Sequence, residues 1–460
     1  MVREIDTRAL EAIVGRSNVS TRSADLDAHS IDESHSPHGR ADVIVWPTTT
    51  EQVSGLLAWA QEHRVPVVPW SAGSSLEGNP VPIYGGLLLD MYRMNEVVDI
   101  RERDLQVVVQ PGVVYAELNK ELGRLGMFFP PAPGSSEVAT IGGMVSNNSS
   151  GMRAVKYGVT RDYILSLEVV LPGGQVVRVG SHATKTSSGY DLVDLFVGSE
   201  GTLGVVTEVT MQVVGLPERV MAVTSSFPDL DGATQAVYET LRCGLSPAAI
   251  EILDAETTRI TNEQQGLRLP NLPTLFVEFH GSNDGMYEEI AYLRGICEEC
   301  GAVRFDMAEY TEAREALWRA RREARESIKR SHPGMTLIGG DACVPMSRFA
   351  ELVAFVHELA RRSGVRIYAF GHAGDGNLHT EAIVDGSDPE AFALGEELTA
   401  KIIRRALEMG GTATGEHGVG LMKRPFMRQE HGDALDVMRS IKNTLDPKGI
   451  MNPGKIFPDE

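Results

Sequence analysis

The sequence predicts an α+β protein made of two unlike regions, and three observations carry that expectation. Short strand-like runs punctuated by proline and glycine fill residues 1–216. A doubled strand–helix–strand pattern then occupies Val220 to Met307, the signature of a ferredoxin-like antiparallel sheet with helices on one face. No low-complexity linker separates the two regions. We therefore expect a first domain over 1–216, N-terminal helix region included, and a second over 217–420. Residues 421–460 should form a C-terminal helix and tail that return to the first domain.

The elements follow in order. The first forty or so residues suggest one helix and a polar loop. Pro47-Thr48-Thr49 leads into a helix, where Thr49 and Gln52 have the spacing of a capping box. Val53, Leu56, Leu57 and Ala60 recur at i, i+3, i+4 and i+7, so that helix is amphipathic. It ends near His63, and VPVVP follows as a strand. Further strand-like runs are Gly86–Asp90, Leu105–Val109, Leu165–Leu171, Gln175–Val179 and Val205–Val214. In the second region VMAVTSSF, a helix around Gly232–Cys243 and AAIEILD form one half-unit. TLFVEFHG, a helix from Met286 to Cys300 and AVRFDMA form the other. A charged helix, Thr311–Arg330, comes next. A strand, a helix and a hairpin reach Asp385, and a helix runs to Met409. A glycine-rich loop, a helix and the tail MNPGKIF complete the chain.

Composition excludes several classes. The 460 residues include 43 basic and 63 acidic side chains, a formal net charge of −20, which is unsuited to a nucleic-acid partner. That charge is read first as a solubility feature, with attraction of a basic protein partner as the alternative. There is no run of about 18 apolar residues, so no transmembrane segment is expected. MVREIDTRALEA lacks the apolar stretch of a secretory signal. Four cysteines make no disulfide framework, and Cys297 and Cys300 read as helix cysteines. A cytoplasmic location is expected, with peripheral attachment at a membrane and a homodimer both left open.

Glycine is in excess, with 47 residues. Three clusters stand in the first region: PWSAGSSLEGNP (Pro69–Pro80), PPAPGSSEVATIGGMVSNNSSGMRAVKYG (Pro130–Gly158) and SSGYDLVDLFVGSEGTLG (Ser187–Gly204). Successive backbone N–H groups in such turns form anion-binding nests. A long, phosphate-bearing ligand across the first two loops is the expectation. Neither a GxGxxG after a strand nor a Walker A motif is present.

The order PWSAGSSLEG, VQPGV, FFPPAPGS, IGGMVSNNSSG, KYG, GYDL, GSEGTLGVVTE resembles the FAD domain of the vanillyl-alcohol oxidase / p-cresol methylhydroxylase superfamily. Within it the chain is similar to the branch of cytochrome-type D-lactate dehydrogenases and D-2-hydroxyglutarate dehydrogenases, from about Pro47 to Phe457. The resemblance implies a two-subdomain FAD-binding domain of the p-cresol methylhydroxylase type plus a substrate (cap) domain. It implies that Ser71, Ala72, Gly73, Ser74, Ser75 and Leu76 wrap the FAD pyrophosphate. Pro133, Gly134, Thr140, Gly142, Gly143, Ser146 and Gly151 would lie along the flavin and ribityl chain. Glu200, Gly201, Gly204 and Val206 would stand near the adenosine, and Asn452 would return to the flavin. The sequence departs from its relatives at Trp70 and in SNNSSG. The first two loops contain neither His nor Cys, so FAD is expected to be non-covalent.

RIYAFGHAGDGNLHTEAIV reads as a hairpin around Asp375-Gly376, a dipeptide that favours a two-residue type I′ loop. That loop would set His372 directly opposite His379 on one face, suited to two imidazoles on one metal or to a simple histidine pair. In GGTATGEHGVG, Glu416 and His417 follow a helix, and two His plus a carboxylate leave coordination positions open. The resemblance implies His372, His379 and Glu416 as ligands of zinc or manganese and His417 as catalytic base. The family's Trp-x-x-Arg maps onto Trp318 and Arg321, with Arg321 facing the substrate carboxylate. Its DxCVP element maps onto Asp341, Cys343, Val344 and Pro345. Asn377 is a candidate for orienting substrate or ligands. His63, His357 and His431 read as solvated or structural.

The implied activity is an FAD- and metal-dependent dehydrogenase. It would oxidise a small D-2-hydroxy acid, D-lactate favoured, by hydride transfer to flavin N5. Electrons would pass to a cytochrome, a quinone or an electron-transfer flavoprotein. The alternatives are a larger acid such as D-2-hydroxyglutarate on the same fold and, more remotely, a flavin-independent 2-His-1-carboxylate metalloenzyme.

Overall fold

The computed structural model describes residues 5–459, so the first four residues of MVREIDTRALEA lie outside the described residues. The chain divides into two compact units. The first comprises residues 5–150, 159–216 and 416–459, and the second comprises 151–158 and 217–415. Residues 416–420, expected with the second region, group with the first.

The first unit contains a four-stranded sheet in the order Val19–Ser20, Val43–Val45, Leu87–Asp90, Val67–Trp70. The last three run parallel, and Val19–Ser20 is antiparallel to its neighbour. The helix Thr50–His63 begins where Thr49 Oγ1 accepts from Gln52 N at 3.3 Å. Only half of the expected capping box forms, because Gln52 Oε1 accepts from Thr48 N. Val53, Leu56, Leu57 and Ala60 are buried against Val43, Val45, Leu87 and Leu89. The C-terminal tail joins the sheet edge. Val67 N donates to Ile450 O, and Asn452 N donates to Val67 O, both at 2.8 Å. A second, antiparallel sheet runs Val97–Arg101, Gln106–Val109, Val205–Gln212, Ile164–Val170, Val176–Gly180. The expected run Val205–Val214 divides, since Val214–Gly215 pairs instead with Met127–Phe128.

The second unit is built on a seven-stranded, wholly antiparallel sheet. Its order is Arg304–Ala308, Arg219–Ser226, Thr274–Gly281, Ala249–Leu253, Arg366–His372, Asn377–Val384, Thr336–Cys343. The first four strands are the expected ferredoxin-like core, and three more extend it beyond Ala249–Leu253. The helices Leu230–Arg242 and Asn283–Glu299 pack on one face through Ala233, Ala236, Val237, Ile290 and Leu293. The opposite face is covered as well, by Ala255–Gln265, Thr311–Arg322 and Ala324–Ser331 through Ile260, Trp318, Ala324 and Ile328. The expected helix Thr311–Arg330 is thus two helices that meet at Glu323.

Strand alternation decides which side chains meet on that second face. Leu253 pairs with Phe370, Phe370 with His379, and His379 with Asp341. In the next row Glu251 pairs with His372, and His372 with Asn377. Directly paired residues share a face. These two rows therefore place Glu251, His372, His379 and Asp341 with Phe370, under the helix that carries Trp318 and Arg321.

Candidate active site

In the second unit the hairpin differs from expectation in register. His372 pairs with Asn377, and His379 with Phe370, so the loop is the four residues Ala373 to Gly376. A type I′ loop needs positive φ at both central residues. Gly376 has it, at +76°, but Asp375 does not. Instead Asp375 N donates to His372 O at 3.1 Å, closing a turn one step earlier. Gly376 is held there by its neighbour, because a Cβ would stand 2.0 Å from Val344 O. The slip is two residues, and an even slip keeps every side chain on its face. His372 and His379 are therefore diagonal neighbours rather than direct partners. Their rings still meet nearly at right angles, with Nε2 to Nε2 at 3.2 Å.

Each imidazole has a carboxylate behind it. Glu251 Oε1 lies 2.7 Å from His372 Nδ1, and Glu251 is fully buried. That contact assigns the ring proton to Nδ1 and leaves the Nε2 lone pair for a ligand. Asp341 Oδ1 lies 3.7 Å from His379 Nδ1. Asp341 also accepts from Asn377 Nδ2 at 2.7 Å, Thr414 Oγ1 at 2.7 Å and Gly415 N at 2.8 Å. Two imidazole nitrogens about 2.05 Å from a tetrahedral cation stand about 3.3 Å apart, so this donor pair fits a divalent ion. Asn377 is committed to Asp341 and Ala342 O, and so orients a carboxylate behind His379.

Arg321 is buried, with Nη2 2.5 Å from Glu251 Oε2 and its Cζ 5.3 Å from the Phe370 ring centre. Neither its Nε nor its Nη2 makes a hydrogen bond among the described residues, so the Glu251 contact is an ion pair. Arg319, Arg322 and Arg330 are exposed, and Arg325 pairs with Glu381 at 2.7 Å. Trp318 is buried one turn before Arg321. Burial pushes the Cys297 thiol up to about 11, so it stays neutral, as suits a helix cysteine. His357 Nε2 contacts Asp254 at 2.9 Å, a structural role.

In the first unit, Glu416 Oε2 accepts from Ser150 Oγ at 3.1 Å. His417 Nδ1 lies 3.3 Å from Glu77 Oε1, whose other neighbour is the Lys423 ammonium at 3.6 Å. The His417 carbonyl accepts from Asn147 Nδ2 at 3.1 Å and Asn79 Nδ2 at 3.3 Å. Glu200 pins the following residues. Its Oε1 accepts from Val419 N at 2.7 Å, and its Oε2 from Gly420 N at 2.8 Å and Asn79 Nδ2 at 2.7 Å. Burial raises the Glu200 carboxyl above its usual range, opposed by those same hydrogen bonds. Asn452 Nδ2 donates to Asn79 O and Glu200 O.

The glycine loops of this unit fit a dinucleotide. The N–H groups of Gly73, Ser74, Ser75 and Leu76 find no acceptor among the described residues, which makes a nest for an anion. Gly73 has φ +67°, and a Cβ there would strike Trp70 at 2.5 Å. Ser71 Oγ and Thr140 Oγ1, 2.5 Å apart, join this loop to the start of the helix Ile141–Asn147. Open space flanks Gly134, and Gly143 faces only the Thr140 and Ser71 hydroxyls. Gly142 N donates to Pro111 O, Pro133 O accepts from Ser136 N, and Ser146 O accepts from Glu200 N. Gly201 packs on Pro69, and Gly204 on Val169, opposite Val206 in the sheet. Gly151 belongs to the segment 151–158 of the second unit.

Sequence reasoning missed Glu251 and Glu77. Each had a signal: one acid in the apolar run AAIEILD, and one inside the first glycine loop, SSLEG.

Residues 216–456 match the family model for the C-terminal domain of FAD linked oxidases, and residues 41–180 match an FAD binding domain. A glycolate oxidase subunit of Bacillus subtilis is 37% identical, covering 97% of this chain and 95% of its own. A probable mitochondrial D-lactate dehydrogenase of Danio rerio is 37% identical over 98% and 91%. A mitochondrial D-lactate dehydrogenase [cytochrome] of Arabidopsis thaliana is 39% identical over 91% and 73%. Among solved structures, p-cresol methylhydroxylase superposes with a TM-score of 0.82 at 17% identity, covering 98% of this chain and 96% of its own. The FAD-binding domain sets aside the flavin-independent alternative. The likeness to p-cresol methylhydroxylase is one of fold; the chain belongs to the FAD linked oxidases and is an FAD-dependent oxidoreductase.

Proposed function

We propose that the protein is a D-2-hydroxyacid dehydrogenase that converts D-lactate to the 2-oxo acid and passes electrons to a separate carrier such as a cytochrome, a quinone or an electron-transfer flavoprotein. The observation that carries this reading is the pairing of two functions on one sheet face. His372 and His379 turn Nε2 toward Nε2 at 3.2 Å, and buried Arg321 shares Glu251 with His372. A 2-hydroxy acid carries a hydroxyl and a carboxylate on adjacent carbons, and this arrangement suits both.

His372, His379 and Glu416 are the proposed ligands of zinc or manganese, and the loops at 71–76 and 133–146 the proposed cradle of FAD. When bound, FAD supplies a two-electron acceptor, and a divalent cation supplies Lewis acidity toward the substrate hydroxyl. Arg321 binds the substrate carboxylate, a charge-assisted contact that its planar fork favours. Glu77 holds the ring proton of His417 on Nδ1, so His417 Nε2 takes the hydroxyl proton. Among the described residues no helix is long and apolar enough to cross a membrane, and a cytoplasmic place is part of the proposal.

Anaerobic addition of D-lactate should bleach the flavin absorbance, whereas L-lactate should not. Prior chelation should abolish the bleaching while the flavin stays bound. D-2-Hydroxyglutarate and glycolate belong in the same panel, the latter because of the glycolate oxidase relative. Bleaching by either of these and not by D-lactate would overturn the substrate assignment. Full activity after chelation would overturn the metal.

A further inference from the structure

Among the described residues, Glu251 is the one fully buried carboxylate that touches both His372 and Arg321. Its two oxygens are divided between them, Oε1 to His372 Nδ1 at 2.7 Å and Oε2 to Arg321 Nη2 at 2.5 Å. The residue sits at the centre of a five-residue strand buried at every position, so its backbone has little freedom to shift. Phe370 lies against the guanidinium, its ring centre 5.3 Å from Arg321 Cζ. A neutral imidazole carries one ring proton, and a buried carboxylate at Nδ1 requires it there.

We propose that Glu251 is a positioning residue that couples cation binding to substrate-carboxylate binding, holding His372 in its Nδ1–H tautomer with one oxygen and the Arg321 fork with the other. The cation arm of this inference rests on the proposed metal ligands. The tautomer and the arginine contact do not. Through Glu251 the distance between hydroxyl activation and carboxylate capture is set by one rigid group rather than by two independent side chains.

Glu251→Gln separates the two duties, because an amide has one acceptor. If its carbonyl faces His372, its NH2 confronts the donors of Arg321, and KM rises while the cation is retained. If its carbonyl faces Arg321, its NH2 donates to Nδ1, the ring proton moves to Nε2, and cation affinity falls. The test uses the FAD-loaded protein stripped with a chelator. Zn²⁺ and Mn²⁺ are each titrated, the nitrogen shifts of His372 are read by ¹⁵N NMR before metal is added, and KM and kcat are measured for D-lactate.

Wild type should show the Nδ1–H tautomer. Glu251→Gln should lose about 10–100-fold in cation affinity, or show a comparable rise in KM, with FAD stoichiometry unchanged. The double variant Glu251→Gln/Arg321→Met removes the donor conflict. It should recover the tautomer and the cation affinity while KM stays high. It also serves if the single variant folds poorly around its unpaired arginine. An Nε2–H tautomer in wild type overturns the inference, as does a single variant whose cation affinity and KM both match wild type. A wild type that binds neither ion removes the metal reading alone, and the tautomer and KM measurements then decide the role of Glu251.

Discussion

Replacing Glu200 by alanine should be the most damaging single change in the first unit outside its apolar core. The carboxylate accepts three hydrogen bonds of 2.7–2.8 Å, from Val419 N, Gly420 N and Asn79 Nδ2, at a site only 5% exposed. Deletion strands three donors, each costing about 1–3 kcal/mol if left unmet. Water entering the vacated volume meets part of that demand, and losing a buried charge recovers some desolvation. The net cost is then about 3–5 kcal/mol. With roughly 2–4 °C per kcal/mol for a unit of this size, the melting temperature should fall by roughly 6–20 °C. Flavin fluorescence during heating of the FAD-saturated protein reads this directly. Glu200→Gln keeps one acceptor and should lose about half as much. Because the same bonds pin the residues after His417, turnover measured well below both transitions should fall too. A shift under about 2 °C for the alanine variant would refute the reasoning. A large shift with unchanged kcat would leave Glu200 as scaffold and detach it from His417.

Other outcomes follow from the same geometry. Glu77→Gln removes the charge that holds the ring proton on His417 Nδ1 and should lower kcat by about 100-fold with KM and FAD content little changed, and normal turnover would deny Glu77 that role. Gly376→Ala drives a Cβ to 2.0 Å from Val344 O, so zinc titration should show weakened binding and the hairpin amides should lose hydrogen-exchange protection; wild-type values for both would contradict the loop geometry. Burial lowers Lys455 from its ordinary 10.5 to about 7, against the pull of Glu200 and Asp32. Between those values the unfolded chain binds more protons than the folded one, so this group's contribution to stability rises with pH from about 7 to about 10, by at most about 1.4 kcal/mol per pH unit. Denaturation curves of wild type and Lys455→Met should therefore diverge across that window, and parallel pH profiles would rule the effect out.

What could be read from the sequence follows local rules. The helix after Thr49 shows its apolar stripe and its cap within fourteen residues, and both are present. The ferredoxin-like core was legible because two half-units repeat the same pattern in one stretch of chain. The hairpin shows where local rules stop. Asp375-Gly376 favours a two-residue loop in isolation, but the neighbouring backbone at Val344 selects a four-residue one. The parity of the histidines survived because the slip is even. Glu251 was hidden for a related reason. Its partners lie on two other elements, at His372 and Arg321, and only the sheet register brings them together. Glu77 stands within the first glycine loop, but its partner His417 is 340 residues away in sequence.

The tail that completes the first sheet has a consequence for biosynthesis. Val67 obtains its edge partners from Ile450 and Asn452, and Lys455 Nζ donates to Val81 O, so the segment 67–81, which holds the proposed FAD loop, is closed by residues more than 370 positions further along. A nascent chain cannot finish this unit until residues 450–455 have left the ribosome, whereas residues 217–415 of the second unit emerge before them. Premature termination before residue 450 should then yield no usable flavin domain. It should yield a folded insert flanked by an open sheet edge, the kind of surface that recruits chaperones or aggregates.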